Sequence, residues 1–191
     1  MRMANDEARW VAQASAGDSA AFRRLVETYS SALFRVCARI TGDKALAEDA
    51  VQEAFFNAYR HLREFDGRAA FSTWLHRIAV NAALEQMRKR HRVEDALPEG
   101  DDGSEVFADA FEAPPGPDRH ATSAEVGRDI ANQLSRMSTI ERTAFVLRHH
   151  EGQSLEEISA TLSLSTSASK QAIFRAVRKL RAALDPLDNV G

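Results

Sequence analysis

The sequence predicts an all-α protein: two small helical domains joined by an acidic flexible linker. Three observations predict it. Helix-favouring Ala, Leu, Arg and Glu dominate the 191 residues, and only 7% are aromatic. Apolar residues recur at helical rather than alternating spacing over residues 5–92 and again over 123–185. Between these stretches lies a single run rich in proline, glycine and acid.

The first stretch breaks at Gly17-Asp18 and at Thr41-Gly42-Asp43, each a glycine stop followed by an aspartate suited to cap the next helix. A third break falls at Phe65-Asp66-Gly67. The spacing predicts helices near 5–15, 19–40, 44–63 and 72–91, the last capped by Ser72. Residues 93–122 hold Pro98, Pro114, Pro115 and Pro117, and nine acidic residues against Arg119 alone. Proline, glycine and repelling charge oppose both helix and core, so this segment reads as a linker between a domain at 1–92 and one at 123–191. Phe107 and Phe111 are its candidates for transient docking. Beyond it, Ser138-Thr139-Ile140-Glu141 and Ser154-Leu155-Glu156-Glu157 fit the capping box, in which Ser and Glu satisfy each other's orphan amides at a helix start. Helices follow near 123–135, 139–150, 154–161 and 166–184.

Composition excludes several classes. A single cysteine, Cys37, rules out an internal disulfide and a cysteine-based zinc site; its apolar neighbours predict a buried thiol. No apolar run approaches bilayer length, and MRMANDEARW lacks the apolar core of a secretion signal, so the expected location is the cytoplasm. His149-His150-Glu151 invites a metal or acid–base reading, but no His-Glu-x-x-His, phosphate loop or nucleophile elbow accompanies it. No catalytic residue, metal or cofactor is expected.

The net charge of −3 means that any nucleic-acid contact must come from local patches. The clearest is the helix at 166–184, with five basic residues and no acidic one. At about 100° per residue, Ile173, Val177, Leu180 and Leu184 form one stripe, and Lys170, Arg175, Arg178, Lys179 and Arg181 centre opposite. Gln171 and Phe174 fall on the cationic side, where Gln can pair with adenine and an apolar ring can meet a thymine methyl. Ser165, Thr166 and Ser167 at its start suit a phosphate. With the short capped helix before it, this reads as a helix-turn-helix that lays its second helix in a major groove.

Two further surfaces stand out upstream. On the helix at 44–62, Ala47, Val51, Ala54, Phe55, Ala58 and Leu62 make an apolar side. Glu48, Asp49, Gln52 and Glu53 lie about 140° away with Phe56 among them, a protein-docking pattern with an aromatic anchor. Residues 68–92 carry six Arg/Lys against Glu85 alone. Phe65, Arg68 and Phe71 precede a helix bearing Trp74, Leu75 and Ile78, and aromatics interleaved with cations suit single-stranded DNA. Phe71, Trp74 and Ile78 also fit a core, which makes Arg68, Ser72, Thr73, Arg77 and Asn81 the better base contacts.

The strings GDSAAFRRLVETY, AEDAVQEAFFNAYRHLREFDGRAAFSTWLHRIAVNAA, LSRMSTIERTAFVLRHHEGQSLEEISATLSLS and IFRAVRKLRAAL together cover nearly everything outside the linker. In them the chain resembles the two-domain, extracytoplasmic-function sigma factors of bacterial RNA polymerase, within the sigma-70 family. The resemblance implies an alternative sigma factor that binds polymerase core and directs initiation. Glu48, Asp49, Gln52, Glu53 and Phe56 would meet the clamp helices of the largest subunit. Phe65, Arg68, Phe71, Ser72, Thr73, Arg77, Asn81, Arg88 and Lys89 would take the −10 element as single strand. Ser165, Thr166, Ser167, Ser169, Lys170, Gln171, Phe174, Arg175, Arg178 and Lys179 would read the −35 element, with a contact to the flap of the second-largest subunit. The linker would thread near the active-site and RNA-exit path. Many members answer to an anti-sigma factor; others are controlled by phosphorylation, for which Thr41 is the candidate hydroxyl here.

The groove helix departs from the family pattern. Ser169 stands where a valine is usual, Ala172 where a second basic residue is usual, and Ser163 replaces the turn glycine. An altered −35 preference or a weaker −35 dependence follows. The rival reading, a free-standing helix-turn-helix regulator, needs a sensing or dimerising domain, and residues 1–92 carry no ligand-pocket signature.

Overall fold

Aspartates and glycines punctuate the first domain where expected. Asp18 accepts from the Ala20 and Ala21 amides at 2.8 and 3.2 Å, and Asp43 accepts from the Leu46 amide at 3.0 Å. Gly42, at φ 68°, closes the helix between them, a conformation that costs glycine little. The computed structural model describes residues 2–94, 130, 132–134 and 136–184. Its helices are α1 (Arg2–Ser15), α2 (Ser19–Thr41), α3 (Lys44–His61), α4 (Phe71–Glu94), α5 (Thr139–His149), α6 (Leu155–Leu162) and α7 (Thr166–Leu184), with a 3₁₀ turn over Leu62–Glu64. No strand occurs among the described residues. Residues 95–122 of the expected linker, Phe107 and Phe111 included, lie outside them, as does most of the helix expected at 123–135; residues 130 and 132–134 are helical.

Two expectations shift. α4 begins at Phe71, so Ser72 sits inside its first turn rather than capping it. The tail of α4 runs to Glu94, two residues into the stretch expected to be linker. Both capping boxes form: Ser138 and Glu141 open α5, and Ser154 and Glu157 open α6. Ser163 takes φ 54°, the left-handed turn between α6 and α7 that a glycine would adopt more readily.

The first domain packs α2, α3 and α4 around small residues. Ala47, Ala50, Ala54 and Ala58 bury one face of α3, and Ala79, Val80 and Ala83 bury one of α4. Cys37 is buried in this core, its Sγ 3.7 Å from the Ala79 carbonyl, and burial pushes its thiol up to about 12. Glu7 accepts a hydrogen bond from the Tyr29 hydroxyl, and Arg24 lies over the Trp10 ring, which together hold α1 on α2.

The second domain does not stand apart. Leu147, Ile158 and Ala172 belong to the same continuous apolar cluster as Leu33, Ile40 and Leu84 of the first. Arg142 of α5, 4% exposed, reaches the Thr41 carbonyl at 3.4 Å and Met87 Sδ at 4.0 Å. It meets no carboxylate among the described residues, and burial, with Arg90 nearby, lowers its pKa to about 10. Beyond the end of α5, Glu151 lies 4.0 Å from Arg39 of α2 and 3.0 Å from His76 Nδ1 of α4.

Candidate functional site

The residues expected to dock form one exposed stripe on α3. Glu48, Asp49, Gln52, Glu53 and Phe56 are all exposed, because four alanines one turn apart take the opposite face inward. Lys44 pairs with Glu48 at 3.8 Å, and Asn57 donates to Glu53 at 2.9 Å. Phe56 is 57% exposed and carries the Arg60 guanidinium 5.5 Å above its ring. The sequence reading missed Tyr59, which is also exposed and stands edge-on to Phe22 at 5.0 Å. Its spacing of three from Phe56 was the available signal, since such residues share a helix face.

The loop and helix expected to take single-stranded DNA divide into two groups. Thr73, Arg77 and Asn81 are exposed at successive turns of α4, with Ser72 half-buried beside them. Arg88 and Lys89 continue the exposed surface, and Asn81 and Lys89 line a groove between α4 and α3. Arg88 and Arg92 both reach Glu85, at 3.3 and 3.1 Å, and these bonds, Arg92's first, hold that carboxyl below its ordinary range. Arg68 is exposed, yet its Nε pairs with Asp66 at 3.1 Å. The aromatics fall on the other side. Phe71 is only 3% exposed and packs against Tyr29, Phe65 and Trp74 with ring centroids 5.6–5.8 Å apart. Phe71 is therefore a core residue rather than a stacking platform, and half-buried Phe65 belongs mainly to the same cluster. A cleft of about 420 Å³ opens between α1 and this loop, lined by Glu7, Phe65, Asp66 and Gly67.

On α7 the buried face holds Ser169, Ala172, Ala176 and Leu180, with Ile173 and Val177 half-buried. Small residues at 169, 172 and 176 let α7 sit close to its neighbours. Ser165, Thr166, Ser167, Lys170, Gln171, Phe174, Arg175 and Arg178 are exposed, Phe174 by 65%. Arg175 donates to Gln171 at 3.3 Å. Two expected groove residues are otherwise engaged. Ser169 is fully buried, and Ser159 of α6 donates to its hydroxyl at 3.0 Å, so it joins the two helices instead of facing DNA. Lys179 bonds Glu141 of α5 at 2.5 Å. Burial works to raise the Glu141 carboxyl, but Lys179 and the Ser138 amide outweigh it and hold it low. Ala172 is buried too, so a basic residue could not stand there without repacking.

Glu151 is spent on Arg39 and His76, and His149 lies against the Phe145 ring at 4.7 Å. Among the described residues no group of three His, Cys, Asp or Glu could hold a metal, and no helix is long and apolar enough to cross a membrane. Thr41 is buried, its hydroxyl donating to the Asp43 carbonyl at 2.9 Å, which removes it as a modification site in this conformation.

The chain matches the family model for Sigma-70 region 2 over residues 25–93 and that for Sigma-70, region 4 over residues 127–180. It is 31% identical to the ECF RNA polymerase sigma factor SigW of Bacillus subtilis over 179 residues, covering 93% of this chain and 96% of that protein. It is 33% identical to the RNA polymerase sigma-H factor of Pseudomonas aeruginosa over 177 residues, covering 90% of each. Among solved structures it resembles CnrH in complex with the cytosolic domain of CnrY, with a TM-score of 0.62 and 28% identity over 95% of this chain and 98% of that one. The sigma factor RpoE of Bartonella quintana, solved with the anti-sigma factor NepR, shares the fold, with a TM-score of 0.63 at 22% identity, covering 86% of this chain and 96% of that one.

Proposed function

Because the chain belongs to the extracytoplasmic-function sigma factors of the sigma-70 family, we propose that its exposed surfaces divide the work of promoter recognition between its two domains. It is an alternative sigma factor, which binds RNA polymerase core and promoter DNA to direct transcription initiation. In our reading the α3 stripe of Asp49, Gln52, Glu53 and Phe56, widened by Tyr59, is the core-docking surface: charge at the rim and an aromatic anchor at the centre. The α4 ridge of Thr73, Arg77 and Asn81 follows the unpaired −10 strand, with Arg68 and Lys89 on its phosphates. The α7 face enters the −35 major groove, where Lys170, Arg175 and Arg178 neutralise phosphates and Gln171 and Phe174 meet base edges.

One observation carries this reading. A capped helix-turn-helix leaves Phe174 two-thirds exposed amid four cations, at odds with a merely solvated face. The test is run-off transcription with purified core and a promoter library. Lys170→Ala with Arg175→Ala should reduce −35-dependent initiation and flatten its salt response by about two counterion equivalents. Asp49→Lys with Glu53→Lys should abolish core binding while groove binding persists. Unchanged promoter choice and salt slope in the first variant would refute the α7 assignment. An anti-sigma factor is a further partner on this reading; competition for core by that partner would map to α3.

A further inference from the structure

The joint between the domains abuts the α4 ridge, and forming it has a desolvation cost. Arg142 is driven into the α2–α3 junction, where it replaces its hydration with one long carbonyl contact and a sulfur. Glu151 adds two contacts across the joint, to the Arg39 guanidinium at 4.0 Å and to His76 Nδ1 at 3.0 Å. His76 lies one turn along α4 from Ser72 and Thr73, so this carboxylate is anchored on the ridge proposed for the −10 strand. Between the domains lies a cleft of about 290 Å³, walled by Ser72, Thr73 and His76 on one side and by Glu151, Gln153 and Glu157 on the other. Hydrogen bonds from the Ser154 amide and hydroxyl keep the Glu157 carboxyl below its ordinary range, hence charged. A phosphodiester strand laid along Ser72 and Thr73 would face two carboxylates at close range.

Size sharpens the point. Elements centred at −10 and −35 are about 25 base pairs apart, or about 85 Å along B-form DNA at ~3.4 Å per pair. A compact body of this length is only about 40 Å across. Residues 95–129, at ~3.3–3.6 Å each, can reach about 115–125 Å. The docked domains therefore cannot occupy both elements at once, whereas separated ones can.

We infer that the free protein is self-closed: Arg142 and Glu151 clasp the helix-turn-helix domain over the Ser72–Thr73 end of α4, and promoter loading requires this clasp to open. The inference rests on the α4 ridge being the strand surface. Binding of core at the α3 stripe, which the joint leaves exposed, can precede opening.

The test uses the full chain with spin labels at Glu27→Cys and Arg181→Cys, both exposed, while native Cys37 stays buried. The wild type should give one short inter-label distance, and Arg142→Leu a broad, longer one. Anisotropy of a labelled single-stranded −10 oligonucleotide should show Arg142→Leu binding at least about fivefold tighter, although it has lost a cation and ordinary counterion release predicts weaker binding. Should that variant unfold, Glu151→Gln keeps the side-chain volume and should open the joint in the same assays. Conversely, His76→Cys with Glu151→Cys, bridged by a bis-methanethiosulfonate reagent (each thiolate displacing methanesulfinate to form a reducible disulfide), should cut run-off transcription at least about tenfold and recover on reduction. A bridged chain that initiates at full rate, or a variant that opens without binding the oligonucleotide more tightly, overturns the inference. If instead Arg77→Ala leaves oligonucleotide affinity unchanged in the opened variant, the strand reading of α4 fails, and the occlusion inference falls with it even though the distance data still report closure.

Discussion

Replacing Lys179 should look like a stability lesion, not a lost phosphate contact. The residue lies on the basic side of α7, but its ammonium bonds Glu141, whose side chain is 9% exposed against 46% for the lysine. Glu141 also closes the α5 capping box on the Ser138 amide. A charge-assisted bond of this kind contributes roughly 1.5–3 kcal/mol when shielded, and the half-exposed lysine discounts that to about 1–2 kcal/mol. A urea double-mutant cycle on Glu141→Gln, Lys179→Met and the pair should return a coupling of about 1 kcal/mol, near a fivefold change in the folding equilibrium. The pH dependence has a fixed sign. The Glu141 carboxyl is held below its unfolded value of about 4.3, so the bond's contribution is full above that pH. It fades as acid protonates the folded carboxyl, and the wild-type advantage over Lys179→Met should vanish there. Binding to −35 duplex gives the second readout. Lys179→Met should leave the slope of log K against log salt unchanged, whereas Arg178→Ala should lower it by about 0.9. A coupling under about 0.3 kcal/mol, or a slope change for Lys179 equal to that for Arg178, would show that Lys179 abandons Glu141 for phosphate and refute the reasoning.

Phe56→Ala should weaken core binding with little change in melting, while Phe71→Ala, which empties the centre of an aromatic cluster, should cost about 3–5 kcal/mol in denaturant unfolding. Gly42→Ala should destabilise by about 1–3 kcal/mol in the same assay, because residue 42 needs φ 68° and an added Cβ would lie 3.1 Å from Arg142 Nη1. Ser169→Ala should cost about 1 kcal/mol by removing its bond with Ser159 and leave −35 affinity, measured on duplex DNA, unaltered.

Most of the fold was legible because its boundaries are set by local chemistry. Asp18, Asp43, Ser138 and Ser154 each cap the helix their position announced, and Gly42 ends the one it follows. The α3 stripe was equally legible, since alanine periodicity alone decides which side faces out. Legibility fails where the deciding partner is distant in sequence. Nothing within α7 distinguishes Lys179 from Arg178; Glu141, 38 positions earlier, does so. Nothing around Arg142 announces a buried guanidinium, because the carbonyl it seeks is Thr41's, 101 positions away. The wheel for α7 placed Ile173, Val177, Leu180 and Leu184 inward, but the buried centre falls on Ser169, Ala172, Ala176 and Leu180. Ranking inward residues by size misjudged a face that packs by being small.

That preference for small inward residues also explains why the first domain leaves two large rings in solvent. Helices whose contact faces are alanine approach closely, since the separation of packed helices is set by the side chains between them. α3 commits Ala47, Ala50, Ala54 and Ala58 to its contacts, so neither of its own phenyl rings lies in that seam. Phe55 and Phe22 are pushed to the rim, edge-on at 6.5 Å, and Phe56 and Tyr59 beyond it into solvent. Exposing two large rings side by side is unfavourable for an isolated domain and useful only if something covers them. The close-packed alanine seam thus does two things at once: it sets the α2–α3–α4 packing, and it leaves exposed, beside Asp49 and Glu53, the rings proposed above as the docking anchor. Enlarging the seam, as in Ala54→Leu, should force α3 away from its neighbours and weaken core docking without touching a docking residue. Substituting Phe56 should weaken docking while leaving the scaffold intact. Separating those two losses, by unfolding for one and by core pull-down for the other, tests whether the packing and the partner surface are one design.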